Sequence, residues 1–456
     1  MCGFVICFND KKIQNKLNIY KKNKINFFNH RGPDNSKFYS DQSISILFNR
    51  LSIIDLSQKS NQPFISKNKR FVLVFNGEIY NYKDLSNEIK NKGFKFESDG
   101  EAEVLIKGFE IFGESFINKV RGMFAICLWD KKKNSLLTFR DRFGQKPLYY
   151  KKTEDGYIIS SEIKDINILT EKIIDRETCK RYLYRNFLDN KRDTFFKDIK
   201  RILPAEQITF FKNKINKKIY WKPIISENLP FNKEEFLSKF LDNLNMHLNS
   251  DVNLAFLLSG GLDSSSLVSG AIELKKKIKT FSIIPKHTFN ERPYIDYIVK
   301  KKSISHQYIM LDDKLSGENF EEVLFYQDEP FQGINCLYQF YLNKKIREYG
   351  YKVVITGDGG DEILGGYERM FLIYLDYLLK NNRIDLFNKI IKIRKLSKFN
   401  ILNKIKIFNQ SLKNKKSDIE DLTAEQYLKN SEKISNQKIL LENWNNLKIS
   451  KNQNLF

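Results

Sequence analysis

The 456-residue chain has no apolar run near the roughly 20 residues that a bilayer-spanning helix requires, which argues against a membrane protein. Its first residues, Met1 to Asp10, lack the basic start and long apolar stretch of a secretory leader. The five cysteines, Cys2, Cys7, Cys127, Cys179 and Cys336, are odd in number and show no paired metal spacing, so neither a disulfide framework nor a structural zinc site is expected. These absences predict a soluble, cytoplasmic protein. Helix-turn-helix, zinc-finger and aromatic RNA-binding patterns are missing too, as are internal repeats. The formal charge of +23 comes from lysines spread along the whole chain among many Asn and Ile residues, which reads as compositional drift, not as a basic face. Neither nucleic acid nor a membrane is expected as a partner.

A chain of this length predicts two domains, and 41% hydrophobic with 14% aromatic residues is a globular composition. Short apolar or alternating runs at 4–8, 44–54, 71–75, 124–129, 136–139 and 157–160 predict strands. Helical stretches at 83–92 and 102–112 interrupt them, so the first half reads as sheets covered by helices. Pro204 and two short strand-like runs lie within 195–221, and 233–246 turns helical, which places a domain boundary near residue 220. Beyond it, apolar runs at 253–258, 280–284 and 351–356 alternate with helical segments such as 264–274, the pattern of a parallel sheet. After Tyr367 the chain is helical and rich in Lys and Asn, with Ile384, Phe387, Ile390 and Ile391 recurring at helical spacing.

A cysteine directly after the initiator Met becomes the first residue once that Met is removed. Its terminal amine, with a pKa of about 8 against roughly 10.4 for lysine, then takes the thiol proton without help from a histidine. The competing reading is a small buried hydrophobe. Around Cys2 stand MCGFVICF at 1–8, NHRGPD at 29–34, NRLSIID at 49–55, FNGEIYNY at 75–82 and RDRFGQKPLYY at 140–150. Locally, Asn76, Gly77 and Glu78 also read as a hairpin turn, and residues 31–34 as an ordinary turn that orders the pocket.

In this order and spacing the five segments resemble the class II glutamine amidotransferase domain over residues 2–220. That resemblance implies an α+β N-terminal nucleophile fold, an αββα sandwich, in which Cys2 attacks the glutamine side-chain amide. It implies that Asn76 and the amide of Gly77 form the oxyanion hole. Arg50 would pair with the glutamine carboxylate through a planar, bidentate guanidinium. Glu78 and one further acid would hold the amino group; relatives carry Asp there, whereas this chain offers Glu101 or, two residues earlier, Asp99.

LLSGGLDSS at 257–265 lies between an apolar strand and a helix and lacks the Lys of the common phosphate loop. Gly260 and Gly261 let backbone amides approach an anion, and Ser259, Ser264 and Ser265 offer hydroxyls. An acid in such a place calls for a cation, so Asp263 reads as a Mg2+ ligand. TGDGGDEILGGY at 356–367 follows a second apolar strand. Both segments resemble the ATP-pyrophosphatase domain of asparagine synthetases, which implies an α/β parallel-sheet domain over 221–456 with a helical tail. The resemblance places Thr356 and Gly357 beside ATP, lets the backbone of Leu258 and Ile283 contact adenine or ribose, makes Asp361 a second Mg2+ ligand, and gives Asp358 the acceptor's proton chemistry. Phe289, Asn290 and Glu291, with Asp328, Glu329 and Pro330, resemble segments lining the acceptor side.

The resemblance as a whole implies ATP-dependent transfer of the glutamine amide nitrogen to aspartate, giving asparagine, glutamate, AMP and pyrophosphate, with ATP and Mg2+ as cofactors. Dimers are frequent among such relatives, so a homodimer is one expected state. Relatives usually continue through a helical segment that ends in Pro-Phe-Leu-Asp and carries a basic residue for the departing pyrophosphate; after Arg369 that segment is not found. Three other readings therefore stay open: amidation of another carboxylate such as an acidic sugar of a surface polysaccharide, a shortened chain with glutaminase activity only, and a non-catalytic regulatory subunit.

Overall fold

The structure is a computed structural model that describes residues 1–22, 29–185, 191–212, 214–224, 231–284, 291–311, 320–331, 333–393, 397, 400–407 and 409–410. The expectations for Phe289, Asn290 and the last 46 residues, 411–456, lie outside the described residues. The chain divides into two compact units, Met1–Gly357 and Asp358–Phe456.

The first unit begins with twelve strands: β1 (Gly3–Phe8), β2 (Asn35–Ser40), β3 (Ile44–Arg50), β4 (Phe64–Ile65), β5 (Phe71–Ile79), β6 (Gly122–Asp130), β7 (Ser135–Arg140), β8 (Tyr149–Lys152), β9 (Tyr157–Ser160), β10 (Ile199–Arg201), β11 (Glu206–Phe210) and β12 (Ile215–Ile219). They form two six-stranded antiparallel sheets, ordered β10-β8-β9-β1-β3-β2 and β12-β11-β7-β6-β5-β4. Alternate residues of β1 and β3 (Phe4, Ile6, Phe48) meet alternate residues of β5 and β6 (Val72, Val74, Cys127) in the core between the sheets. The opposite faces are covered as well: Leu73 and Phe75 by the helices Tyr82–Asn91 and Glu101–Phe112, and Val5 and Cys7 by Lys11–Lys22 and Ile163–Leu169. This is an αββα sandwich. With both faces of β1 and β5 covered, every residue of β1 is buried and the in–out alternation of a half-wet strand disappears.

Four further strands, β13 (Leu254–Leu257), β14 (Lys279–Ile284), β15 (Ser305–Met310) and β16 (Val353–Ile355), pair in parallel in the order β15-β14-β13-β16. Helices cover both faces, Leu262–Glu273 and Arg292–Lys302 among them on one side and Asn335–Glu348 on the other. The second unit contains the short helix Gly360–Leu364 and the helices Glu368–Lys380 and Ile384–Ile393, whose Leu375, Leu378, Phe387 and Ile391 share one core. No helix among the described residues is long and apolar enough to cross a membrane.

Three expectations change. The run 44–54 is a strand only to Arg50, after which a loop that contains the one-turn helix Gln58–Ser60 leads to β4. Asn76, Gly77 and Glu78 are not a hairpin turn: they lie inside β5, opposite Ala125, Phe124 and Met123 of β6. Their Asn-Gly pair serves close packing, since a Cβ on Gly77 (φ +158°) would stand 2.1 Å from the carbonyl oxygen of Met123. Residues 351–352 precede β16 and are not part of it.

Candidate functional site

The start of β1, the end of β3, the end of β5 and the first turn of Glu101–Phe112 converge on one cavity of about 490 Å³. Cys2, Arg50, Asn76, Gly77, Glu78 and Glu101 all line it. The thiol of Cys2 donates to Leu51 O (3.6 Å) and receives the N–H of Leu51 at 3.4 Å. Burial pushes the thiol pKa up, and the Leu51 N–H pulls against that shift. Ahead of it, the amine of Met1 donates to Arg31 O at 3.1 Å; burial, aided by the Arg31 charge, lowers its pKa to about 5.

Asn76 is buried, and its side-chain N–H2 has no hydrogen-bond partner among the described residues. A buried orphan donor costs free energy unless a ligand oxygen or water satisfies it. Glu78 and Glu101 face a shared desolvated space: burial raises Glu78 to about 7, and burial together with the Glu78 charge raises Glu101 well above the usual carboxylate range. Glu101 also accepts the N–H of Ile79. Asp99, by contrast, is exposed and outside the cavity, its N–H given to Asp55 Oδ2 at 3.2 Å.

Arg50 departs from the bidentate expectation. Its two terminal nitrogens donate to Ser57 O (2.7 Å), Asn61 Oδ1 (2.9 Å), Ile54 O (3.2 Å) and Asp55 O. All four terminal N–H groups are thus spent on the 54–61 loop, and Nε–H is left for a ligand. The guanidinium is a fixed positive wall of the cavity more than a free fork.

Residues outside the expected set complete the cavity. Lys146 of RDRFGQKPLYY is buried, which depresses its ammonium pKa, and its Nζ sits 3.1 Å from Met1 Sδ. His30 and Arg31 of NHRGPD both reach Glu162, at 3.0 and 2.9 Å, and Arg31 Nε donates to Cys2 O at 2.9 Å. The motifs held the signal: residues 31–34 are predicted as a turn that orders the pocket, while His30 and Lys146 carry no expectation of their own. The cavity is also lined by Asn343 and Arg347 of Asn335–Glu348 and by Val353, Val354 and Thr356. The thiol pocket is therefore continuous with the end of β16.

That end is a topological switch point: from β13 the chain runs outward through β14 and β15, then returns to add β16 on the other side. Crevices at the carboxyl ends of strands flanking such a reversal are where open parallel sheets bind ligands. Leu258, buried behind β13, leads into the turn Ser259–Gly260–Gly261 and the helix Leu262–Glu273, which carries Asp263 in its first turn. Ser264 Oγ receives the N–H of Ser259 (3.2 Å) and lies 3.0 Å from Ser259 Oγ, while Ser265 Oγ donates to Gly261 O (2.6 Å). These hydroxyls hold the loop's own shape, so a phosphate would exchange bonds with them. Gly357, after β16, packs on the same turn: a Cβ there would lie 3.1 Å from Ser264 N and 3.2 Å from Asp263 Cβ. Ile283 packs from within β14 into the sheet core. Asp358 is exposed, and Asp361 lies in the first turn of Gly360–Leu364.

No three His, Cys, Asp or Glu side chains among the described residues form a group that could hold a metal alone. Mg2+ does not require one, since it binds through one or two carboxylates, waters and the phosphates themselves. Asp263, partly exposed beside a helix N-terminus, fits that use.

A cysteine-headed αββα sandwich joined to a parallel sheet with a serine–glycine loop defines a glutamine amidotransferase-type domain followed by a synthase-type domain. Family models agree: one described as a glutamine amidotransferase domain matches residues 1–221, and one described as asparagine synthase matches 235–451. A putative glutamine-hydrolysing asparagine synthetase of Methanocaldococcus jannaschii is 31% identical over 401 residues, covering 80% of this chain and 76% of that protein. The chain belongs to the glutamine-hydrolysing asparagine synthetase family. Asparagine synthetase 1 of Bacillus subtilis is 32% identical across 80% of this chain but 59% of its own length, and an amidase of Penicillium rubens is 28% identical across 76% of this chain and 55% of its own. The chain thus spans a little over half the length of these two relatives.

Proposed function

We propose that the protein transfers the amide nitrogen of glutamine to the side-chain carboxylate of aspartate at the expense of ATP, giving asparagine, glutamate, AMP and pyrophosphate. The observation that carries this reading is the single cavity that runs from Cys2 to Thr356. Glutamine lies with its α-carboxylate toward the Arg50 charge and Nε–H, and its ammonium toward Glu78 and Glu101. With Met1 removed, the freed amine of Cys2, buried among the same charges that lower the amine of Met1, takes the thiol proton. Sulfur bonds to the amide carbon, the oxyanion is met by the unpartnered Asn76 N–H and the Gly77 amide, and ammonia leaves with the returned proton. Water then cleaves the thioester to glutamate.

At the other end, an aspartate carboxylate oxygen attacks the α-phosphorus of ATP and pyrophosphate departs. Ammonia that has stayed inside the cavity attacks the acyl-adenylate carbonyl, and AMP leaves. Mg2+, with Asp263 as ligand, would balance charge on the departing pyrophosphate. The Ser259–Ser265 turn holds phosphate oxygens through backbone N–H groups and the helix N-terminus. Asp361 as a further Mg2+ ligand and Asp358 as the acid on the acceptor side remain parts of this reading.

A second reading, amidation of a different carboxylate, has one observation in its favour: the likeness to an amidase extends over 76% of the chain. The test is pyrophosphate release with glutamine, ATP and Mg2+ across aspartate and uronic acids, run on the wild type and on Cys2→Ala supplied with ammonium. Release with aspartate, retained by Cys2→Ala on ammonium but not on glutamine, is expected. Release only with a uronic acid selects the second reading. Glutamate formation with no pyrophosphate from any acid would refute both.

A further inference from the structure

The turn 247–251 joins the helix Lys233–His247 to β13 and touches no ligand site of its own, yet it meets both walls of the Cys2 cavity. On the Arg50 side, the N–H of Asp251 donates to Ile53 O at 3.1 Å and Asp251 Oδ2 accepts the N–H of Asp55 at 2.7 Å. On the other side, the His247 ring packs on Tyr80 with centroids 3.8 Å apart, directly after Ile79, whose N–H is held by Glu101. Lys83 reaches Asn249 Oδ1 at 3.2 Å.

The clamp falls on a strained residue. Asp55 sits at φ +50°, in the left-handed region that few residues other than glycine, asparagine and aspartate adopt. Its carbonyl is one of the four acceptors that hold the Arg50 guanidinium, and those of Ile54 and Ser57 flank it. Within the loop, Ser60 Oγ and the N–H groups of Ser57 and Asp99 bond to the Asp55 side chain. The backbone N–H of Asp55 goes to Asp251. That bond is the one hydrogen bond of the Asp55 N–H among the described residues, in the same residue whose carbonyl faces Arg50.

We propose that Asp251 is a positioning residue for glutamine: it acts through Asp55 to set the place of the Arg50 charge in the pocket. This rests on the reading of Arg50 as the partner of the α-carboxylate. Three residues on, the same backbone enters β13 and then the Ser259–Asp263 turn, so the glutamine wall and the ATP loop are mounted on one continuous segment.

The experiment is steady-state glutamine hydrolysis by the full chain. A charge-assisted hydrogen bond from the Asp55 N–H to the exposed Asp251 carboxylate predicts that Asp251→Ala raises KM for glutamine about tenfold with kcat unchanged. Asp251→Asn, which keeps a neutral acceptor, is expected to raise KM about threefold. In an Arg50→Lys background, Asp251→Ala adds nothing further. Unchanged KM, a fall in kcat alone, or additive effects in the double variant would each overturn the proposal. If Asp251→Ala does not fold, Asp251→Asn decides alone, and no rise in its KM is then the refuting result. Arg50→Lys with wild-type KM would instead overturn the glutamine-site reading. A raised KM in Arg50→Lys beside a wild-type KM in Asp251→Ala isolates the failure to this inference.

Discussion

Glu78→Gln is expected to make the protein more stable at pH 8.5 while removing its grip on glutamine. Burial raises the Glu78 carboxyl from its ordinary 4.5 to about 7 in the folded chain. A carboxyl whose folded pKa is raised binds more protons folded than unfolded between those values. Its contribution to stability is therefore full below pH 4.5 and is lost as pH climbs to about 7. At about 1.4 kcal/mol per decade the loss is at most about 3.5 kcal/mol, and residual solvent contact of Glu78 trims it. Glutamine at that position stays neutral at every pH, so the variant escapes the loss. Urea unfolding of the ligand-free protein at pH 5 and 8.5 measures the difference directly. The variant should match the wild type within about 1 kcal/mol at pH 5 and exceed it by about 1.5–3 kcal/mol at pH 8.5. Its KM for glutamine should rise on the order of 100-fold, because the substrate ammonium loses a desolvated counter-charge. In the wild type, KM should climb as pH falls below about 7, as the carboxylate is protonated. An equal stability difference at both pH values would refute the argument, since it would show that Glu78 carries no buried-charge penalty.

Two other outcomes follow from the same geometry. Asn76→Ala should lower kcat for glutamine hydrolysis by about 10²–10³ with little change in KM, because its unpartnered N–H acts on charge that develops only in the transition state; a pure KM effect would relocate it to ground-state binding. Asp263→Asn should lower pyrophosphate release on the order of 10- to 100-fold while glutaminase turnover is kept, and a release rate equal to wild type would dismiss Asp263 as the Mg2+ ligand.

Much of the fold was legible because burial on both faces writes it into composition. β1, β5 and β6 are apolar nearly throughout, and a run such as Phe4–Phe8 has few alternatives to a covered strand. What escaped notice was only partly covered. β2 is an edge strand with no fully buried residue, and Lys11–Lys22 buries only Ile13, Gln14 and Leu17. Such elements are fixed by the neighbour they lean on. The Asn76–Gly77 pair misled for a different reason: its local turn preference is real, but tertiary packing against Met123 is worth more, and glycine serves there as the residue without a Cβ.

For the candidate site, the side chains were readable and their supports were not. Cys2, Arg50, Asn76, Glu78 and Glu101 are scattered over a hundred positions and the fold brings them to one cavity. The choice between Asp99 and Glu101 turns on one helix start. Gly100, extended at φ −88° and ψ 156°, caps the helix, so Glu101 opens the first turn on the buried side while Asp99, before the cap, stays in solvent. No spacing rule resolves two acids on either side of a cap. Three of the four groups that tether Arg50 are main-chain carbonyls, and the partners of Asp251 are the backbone of Ile53 and Asp55. Any residue type supplies a backbone carbonyl or N–H, so such contacts leave no trace in side-chain identity. Pocket residues held mainly by backbone will therefore tolerate substitution in the loop that carries them, provided Asp55 keeps its left-handed turn and Asp251 its hold on it.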